Sequence, residues 1–160
     1  MKGYSMNVLR SFISVALVMG ATAAQAQISI DNAWARSTVP GQKATGVFMT
    51  IASEKPVTLV KASSPAIKTV EVHEMKVIDG VMKMREVAGV EVLPGKVTEL
   101  KPGGYHVMLM NLEAPISAGS KVPLLLTFKD AAGKESSVKI EAEVRERTAP
   151  SSAKASGHAH

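Results

Sequence analysis

Apolar and polar residues alternate in short runs along most of this chain, and turn-forming residues such as glycine and proline separate the runs. An alternation with a period of two is typical of β-strands that bury one face. Outside the first residues, no run of ten or more shows a helical period. We therefore predict an all-β protein, a single antiparallel sandwich of two sheets, with strands at residues 28–35, 45–52, 57–63, 67–77, 81–87, 96–100, 105–112, 122–128 and 136–146.

The two ends of the chain depart from this pattern. Lys2 and Arg10 precede an apolar stretch at residues 11–20, and small residues follow as far as Ala26. These features are typical of a secretory signal peptide, so we expect cleavage after Ala26 and no membrane span in the mature protein. Residues 149–160 are small and polar without periodicity, and we expect a disordered tail there. The folded domain is then expected over residues 27–148.

Composition narrows the classes of partner and site. The formal charge of +5 falls by two, to +3, without residues 1–26. No basic stripe with interleaved aromatic residues is present, so we expect no nucleic-acid partner. The chain has no cysteine, which excludes a disulfide framework, a thiolate metal site and a lipid-modified cysteine.

Histidine and methionine concentrate in one part of the sequence. Two of the four histidines and five of the nine methionines fall between residues 73 and 110. Asp79-Gly80 is typical of a two-residue hairpin turn. The register of that hairpin would place Met75 opposite Met84, and it would turn His73, Met75, Met82 and Met84 toward one face.

A second predicted strand repeats this pattern, because His106, Met108 and Met110 alternate along it. One ion could then contact His73 and Met84 from the hairpin and His106 and Met108 from this strand. Thioether sulfur is soft and uncharged and favours Cu(I), and imidazole also binds copper. A blue-copper centre requires a thiolate, which this chain lacks. The alternative explanation is a core in which methionine fills irregular gaps.

The spacing of these residues resembles the PCuAC family of periplasmic copper chaperones, whose pattern is H(M)-X10-M-X21-H-X-M. Ten residues separate His73 from Met84, twenty-one separate Met84 from His106, and one separates His106 from Met108. The resemblance covers about residues 28–146. Residues 32–36, Pro40-Gly41 and residues 46–49 are also similar to the opening strands of the family.

The resemblance implies a cupredoxin-like Greek-key β-sandwich that binds Cu(I) through His73, Met84, His106 and Met108. Met75 lies where relatives often carry an additional methionine; we expect it to line the site, and an auxiliary donor role is the alternative. The implied role is delivery of copper in the periplasm to the CuA centre of cytochrome c oxidase, with that oxidase subunit and a Sco-type copper protein as partners. We expect a monomer without enzymatic activity.

The tail carries a separate candidate, because His158 and His160 form a histidine pair near the end of the chain. Histidine-containing tracts can hold metal, and imidazole favours Cu(II) more than thioether does. A weak Cu(II) site and a solvated tail without a site both remain open.

Three further interpretations compete with the delivery of copper. The same binding chemistry would serve copper tolerance or storage. A metal-free structural β-sandwich would bury its methionines away from solvent. An enzyme would need an open coordination position or a catalytic arrangement of side chains, and the sequence shows no Ser-His-Asp triad or pair of carboxylates.

Overall fold

The computed structural model describes residues 27–146, and the predicted signal peptide and tail lie outside these residues. The described residues form strands and no helix, which confirms the all-β prediction. The strands are β1 (Ile28–Arg36), β2 (Ala44–Ser53), β3 (Val57–Ser63), β4 (Thr69–Ile78), β5 (Val81–Glu86), β6 (Val90–Val92), β7 (Thr98–Leu100), β8 (Tyr105–Met110), β9 (Lys121–Asp130) and β10 (Glu135–Arg145). Among these residues, no helix is long and apolar enough to cross a membrane.

The strands form one hydrogen-bonded path in the order β5-β4-β8-β2-β1-β10-β9-β3-β6, and β7 pairs with β2. Neighbouring strands run antiparallel except β1 and β10, which are parallel from Trp34 to Arg36. The two halves of this path correspond to the two sheets of the predicted sandwich, and β1 joins them by pairing with β2 and with β10. A bulge between Asp31 and Trp34 accompanies this change of partner, because bulges bend and twist a strand.

The core lies between the two halves of the path. Buried side chains from β2, β4 and β8 pack in one cluster with buried side chains from β3, β9 and β10. The fully buried members include Val47, Val107 and Leu109 from the first half and Leu59, Leu126 and Phe128 from the second. Because side chains alternate between the two faces of a strand, the residues on either side of Val47 and Val107 point to the outer face.

The hairpin of β4 and β5 has the predicted turn and register. Asp79 and Gly80 have φ angles of 53° and 75°, as a type I′ turn requires. Ile78 pairs with Val81 and Met75 pairs with Met84. The pairing of β4 with β8 ends at Glu74, so the tip of the hairpin continues beyond β8 as a two-stranded ribbon.

Candidate metal centre

The predicted donors lie on the outer face of the first half of the sheet. His73 and His106 are directly opposite each other on β4 and β8. Met84 is on the edge strand β5, diagonal to His73, which pairs with Glu86. Met108 lies two residues after His106 and pairs with Glu71 on one side and Gly46 on the other. Residues directly opposite each other share a face, so β4, β5 and β8 together present all four donors to the same side.

The two imidazole rings form the inner part of the cluster. His73 is 8% exposed and His106 is 4% exposed, and their ring centroids are 6.0 Å apart. Buried polar groups ordinarily have hydrogen-bond partners. Each ring nitrogen of these two buried histidines is therefore expected to have a hydrogen-bond partner or a metal ion.

Glu71 determines which nitrogen of His73 is free. The Glu71 carboxylate accepts a hydrogen bond from Nε2 of His73 at 2.8 Å, so the proton of the neutral ring is on Nε2. The buried Nδ1 atom has no hydrogen-bond partner among residues 27–146. A histidine that binds a metal commonly donates its other N–H group to a carboxylate or carbonyl oxygen. The lone pair of His73 Nδ1 is thus available for a metal.

His106 uses the opposite nitrogen. Its Nδ1 atom donates a hydrogen bond to the carbonyl oxygen of Gly104 at 3.0 Å, which leaves the lone pair on Nε2. Nε2 is 3.3 Å from Sδ of Met84. With metal–nitrogen and metal–sulfur distances of about 2.0 and 2.3 Å, two donors of one tetrahedral ion lie about 3.5 Å apart. The observed separation of these two lone-pair donors therefore fits an ion bound to both.

The surroundings of His106 keep its ring neutral. Burial is the main cause of a lowered pKa at His106; the hydrogen bond to the carbonyl of Gly104 raises this pKa in part, and electrostatic interactions with the neighbouring His73 and Arg36 side chains lower it further. A neutral imidazole is required for metal binding, because a protonated ring has no free lone pair. His106 is thus available as a ligand at neutral pH.

Aromatic side chains support the cluster on the β2 side. The ring of Phe48 is 6.2 Å from the ring of His106 and 4.7 Å from the ring of Trp34, measured between centroids. The Arg36 guanidinium lies 5.2 Å from the centroid of Phe48. A Cβ atom at Gly46 would be 2.8 Å from Cζ of Phe48, so the absence of a side chain at Gly46 allows Phe48 to lie beside His106.

The sulfur side of the cluster is open to solvent. Met84 is 47% exposed and Met82 is 56% exposed, and both lie on β5, where every residue is exposed. Met75 is partly buried on β4 and lies opposite Met84. The imidazoles are therefore covered, whereas the hairpin thioethers can be reached from outside.

The sequence did not identify every residue that shapes this centre. Glu71, Gly104, Gly46 and Phe48 were not predicted, although Glu71 lies two residues before His73 and so shares its face. No group of three or more His, Cys, Asp or Glu side chains within residues 27–146 is placed to hold a metal ion. The cluster itself offers imidazole and thioether groups, which are borderline and soft donors. His158 and His160 lie outside the described residues.

Comparison with known proteins matches most of this chain to one protein family and to a named relative. Residues 28–144 match the model of the LpqE-like family. A protein of Leifsonia xyli subsp. xyli whose name contains the word lipoprotein is 31% identical to this chain over 104 residues. The match covers 64% of this chain and 63% of that relative. The family description and the name of this relative both contain the word lipoprotein.

Solved structures share the fold. The copper-bound PCuAC domain from PmoF2 is 23% identical with a TM-score of 0.58, and the match covers 75% of this chain and 93% of that domain. The Cu(I)-bound form of DR1885 from Deinococcus radiodurans is 26% identical with a TM-score of 0.52, and the match covers 78% of this chain and 83% of that protein. These likenesses confirm the predicted cupredoxin-like β-sandwich.

Proposed function

This chain belongs to the LpqE-like family, and from that membership and its His/Met cluster we propose that it binds one Cu(I) ion and carries it to another protein. The ligands in this proposal are Nδ1 of His73, Nε2 of His106 and the sulfur atoms of Met84 and Met108. The observation that carries the proposal is the 3.3 Å separation of Met84 Sδ and His106 Nε2, two atoms that both offer lone pairs.

The nature of the donors supports Cu(I) as the cargo. Two thioethers and two neutral imidazoles add no charge, and thioether sulfur favours Cu(I) over Zn(II) or hard cations. The copper-bound PCuAC domain and the Cu(I)-bound Deinococcus protein have the same fold, which agrees with this choice. A Cu(II) site at His158 and His160 remains a separate part of the proposal.

The exposure of the methionines favours a carrier over a structural module. A structural β-sandwich without metal would bury these side chains, whereas Met82 and Met84 are each about half exposed. Because the thioethers are exposed and the imidazoles are covered, a second protein could reach a bound ion from the methionine side. We propose that the ion leaves through the hairpin side of the cluster.

We further propose that the protein works in the periplasm and delivers copper to the CuA centre of cytochrome c oxidase, alongside a Sco-type protein. This part of the proposal rests on the PCuAC resemblance. Export agrees with the lipoprotein names in the family, although this chain has no cysteine to carry a lipid. A deletion strain tested for oxidase activity at limiting copper, and then for growth at excess copper, separates delivery from copper tolerance.

Binding itself is tested by titrating the apo-protein with Cu(I) against a competing chelator under anaerobic conditions. We expect one ion per chain and a loss of tight binding in Met84→Leu and His106→Ala. The variant Met49→Leu is the control, because Met49 is a core methionine on β2 that faces away from the cluster. Parent-like affinity in a variant that lacks all four ligands would contradict the proposal.

A further inference from the structure

Met75 is closer to the centre of the cluster than its auxiliary role implies. It lies directly opposite Met84 on the hairpin and two residues from His73 on the same face. Its backbone N–H donates to the carbonyl oxygen of Gly104 at 3.0 Å, beside the strand that carries His106. Met75 thus adjoins three of the proposed ligands, and Gly104 has no side chain that would separate it from His106.

Sheet geometry compares the two candidate sulfur donors. In a flat sheet with strands about 4.8 Å apart and a rise of about 3.4 Å per residue, the Cα atoms of Met84 and Met108 would be roughly 17 Å apart. By the same estimate Met75 is roughly 5 Å from Met84, while Met75 and Met108 are about equally far from His106, at roughly 8 Å and roughly 7 Å. Met75 is therefore the better placed thioether for an ion at the contact between Met84 and His106.

We propose that Met75 is a fifth copper ligand, which exchanges with Met108. His73, His106 and Met84 are common to two sets of four donors, and these sets differ only in whether Met108 or Met75 completes them. The inference rests on the proposed function, because it concerns the same ion. In the exchange, the Met75 sulfur donates a lone pair to Cu(I) as the Met108 sulfur withdraws its own. Copper stays monovalent throughout.

The exchange would move the ion toward solvent without releasing it. Met108 is on β8 inside the sheet, whereas Met75 and Met84 are on the hairpin, whose outer strand β5 is paired only with β4. Both sulfur atoms have the same charge and softness, so the exchange changes neither the charge nor the softness of the donor set. The set that contains Met75 would present the ion at the exposed edge, where an acceptor can approach it.

A double-mutant cycle tests the exchange. Met75→Leu, Met108→Leu and the double variant remove one or both sulfurs with little change in side-chain volume. Met82→Leu is the matched control, because Met82 shares the hairpin and the face but lies one same-face step farther from the imidazoles. Cu(I) affinity is measured by chelator competition, and the labelled methyl resonances of methionine are followed by NMR during the titration.

Substitution at either site leaves the other sulfur in place, so we expect each single variant to lose less than about tenfold in affinity, which is about 1.4 kcal/mol. The double variant should lose more than the product of the two single losses. The Met75 and Met108 methyl resonances should both shift with the first equivalent of Cu(I), and Met82→Leu should bind like the parent.

The outcomes separate the inference from the function on which it rests. If the parent binds Cu(I) but its Met75 resonance stays fixed, and Met75→Leu has no effect alone or with Met108→Leu, then the exchange is wrong and the carrier function stands. If the parent binds no Cu(I), both proposals fall. Equal losses in Met82→Leu and Met75→Leu would overturn the assignment to Met75.

Discussion

At the scale of single residues, hydrogen bonds at the two imidazoles determine which nitrogen atoms face the cluster. Glu71 accepts from Nε2 of His73, and the carbonyl of Gly104 accepts from Nδ1 of His106. The two rings therefore offer different nitrogens, Nδ1 in one and Nε2 in the other. An isolated imidazole exchanges between its two tautomers, so these two acceptors each hold their ring in one tautomer.

The variant Glu71→Gln tests whether the hydrogen bond from His73 to Glu71 strengthens Cu(I) binding. We expect Cu(I) affinity to fall by about 10-fold to 100-fold, the usual cost of losing such a partner of a metal-bound histidine. Chelator competition measures the affinity. Glu74→Gln is the control, because Glu74 lies on the same strand but forms an ion pair with Arg85 on the opposite face. Equal affinities in the two variants would show that Glu71 does not orient His73.

The buried position of His106 predicts a pH dependence of the apo-protein. Burial lowers the pKa of His106 in the folded state below the value of about 6.5 for an exposed histidine. The unfolded chain therefore binds a proton more readily, and stability is complete above about pH 6.5 and falls as pH decreases toward the folded pKa.

Denaturant unfolding of the apo-protein at several pH values between 5 and 8 measures this dependence. The variant His106→Asn keeps a donor for the carbonyl of Gly104 but cannot titrate. We expect its free energy of unfolding to change less between pH 8 and pH 5 than that of the parent. Identical slopes in the two proteins would assign the effect to other groups.

At the scale of elements, the hairpin of β4 and β5 carries three of the five sulfur atoms on the outer face. Its turn uses Gly80 at a φ of 75°, and the turn after β6 uses Gly95 at a φ of 70°. A Cβ atom would meet nothing within 4 Å at either position. The two glycines therefore have equally open surroundings, but only Gly80 lies in the turn of the hairpin that carries Met84.

Gly80→Ala and Gly95→Ala should each lower the free energy of unfolding by about 1 kcal/mol, because alanine is strained at positive φ. Only Gly80→Ala should also weaken Cu(I) binding and speed amide hydrogen exchange in β5. Calorimetry, chelator competition and hydrogen exchange measure the three effects. A copper affinity lowered equally by both substitutions would mean that hairpin geometry is not what positions Met84.

The strands and the hairpin register could be predicted from the sequence, because alternation and the Asp79-Gly80 turn are local signals. The strand Val90–Val92 was missed, since three residues are too few to show an alternation. The parallel pairing of β1 and β10 was also missed, because it joins residues distant in the sequence. The spacing of the histidines and methionines predicted their common face, whereas the role of Glu71 needed the fold to bring its carboxylate to His73.

At the scale of the whole molecule, the resemblance to the PCuAC family that was drawn from residue spacing is confirmed. The candidate centre lies outside the core, on the face of the sheet opposite Val47 and Val107. The core therefore does not depend on the metal for its packing. The ion would instead join three neighbouring strands, β5, β4 and β8, at one end of the hydrogen-bonded path.

This position predicts how copper changes global stability. An ion that binds only the folded state stabilises it by about 2.7 kcal/mol when the free ion is at about 100 times its Kd. For a domain of this size that corresponds to a rise of about 10 °C in Tm. Calorimetry of the parent with Cu(I) under anaerobic conditions measures the rise, and His106→Ala is expected to show a much smaller one. Because the buried core contains none of the proposed ligands, the apo-protein should itself unfold cooperatively. A parent Tm that Cu(I) leaves unchanged would favour the metal-free structural module.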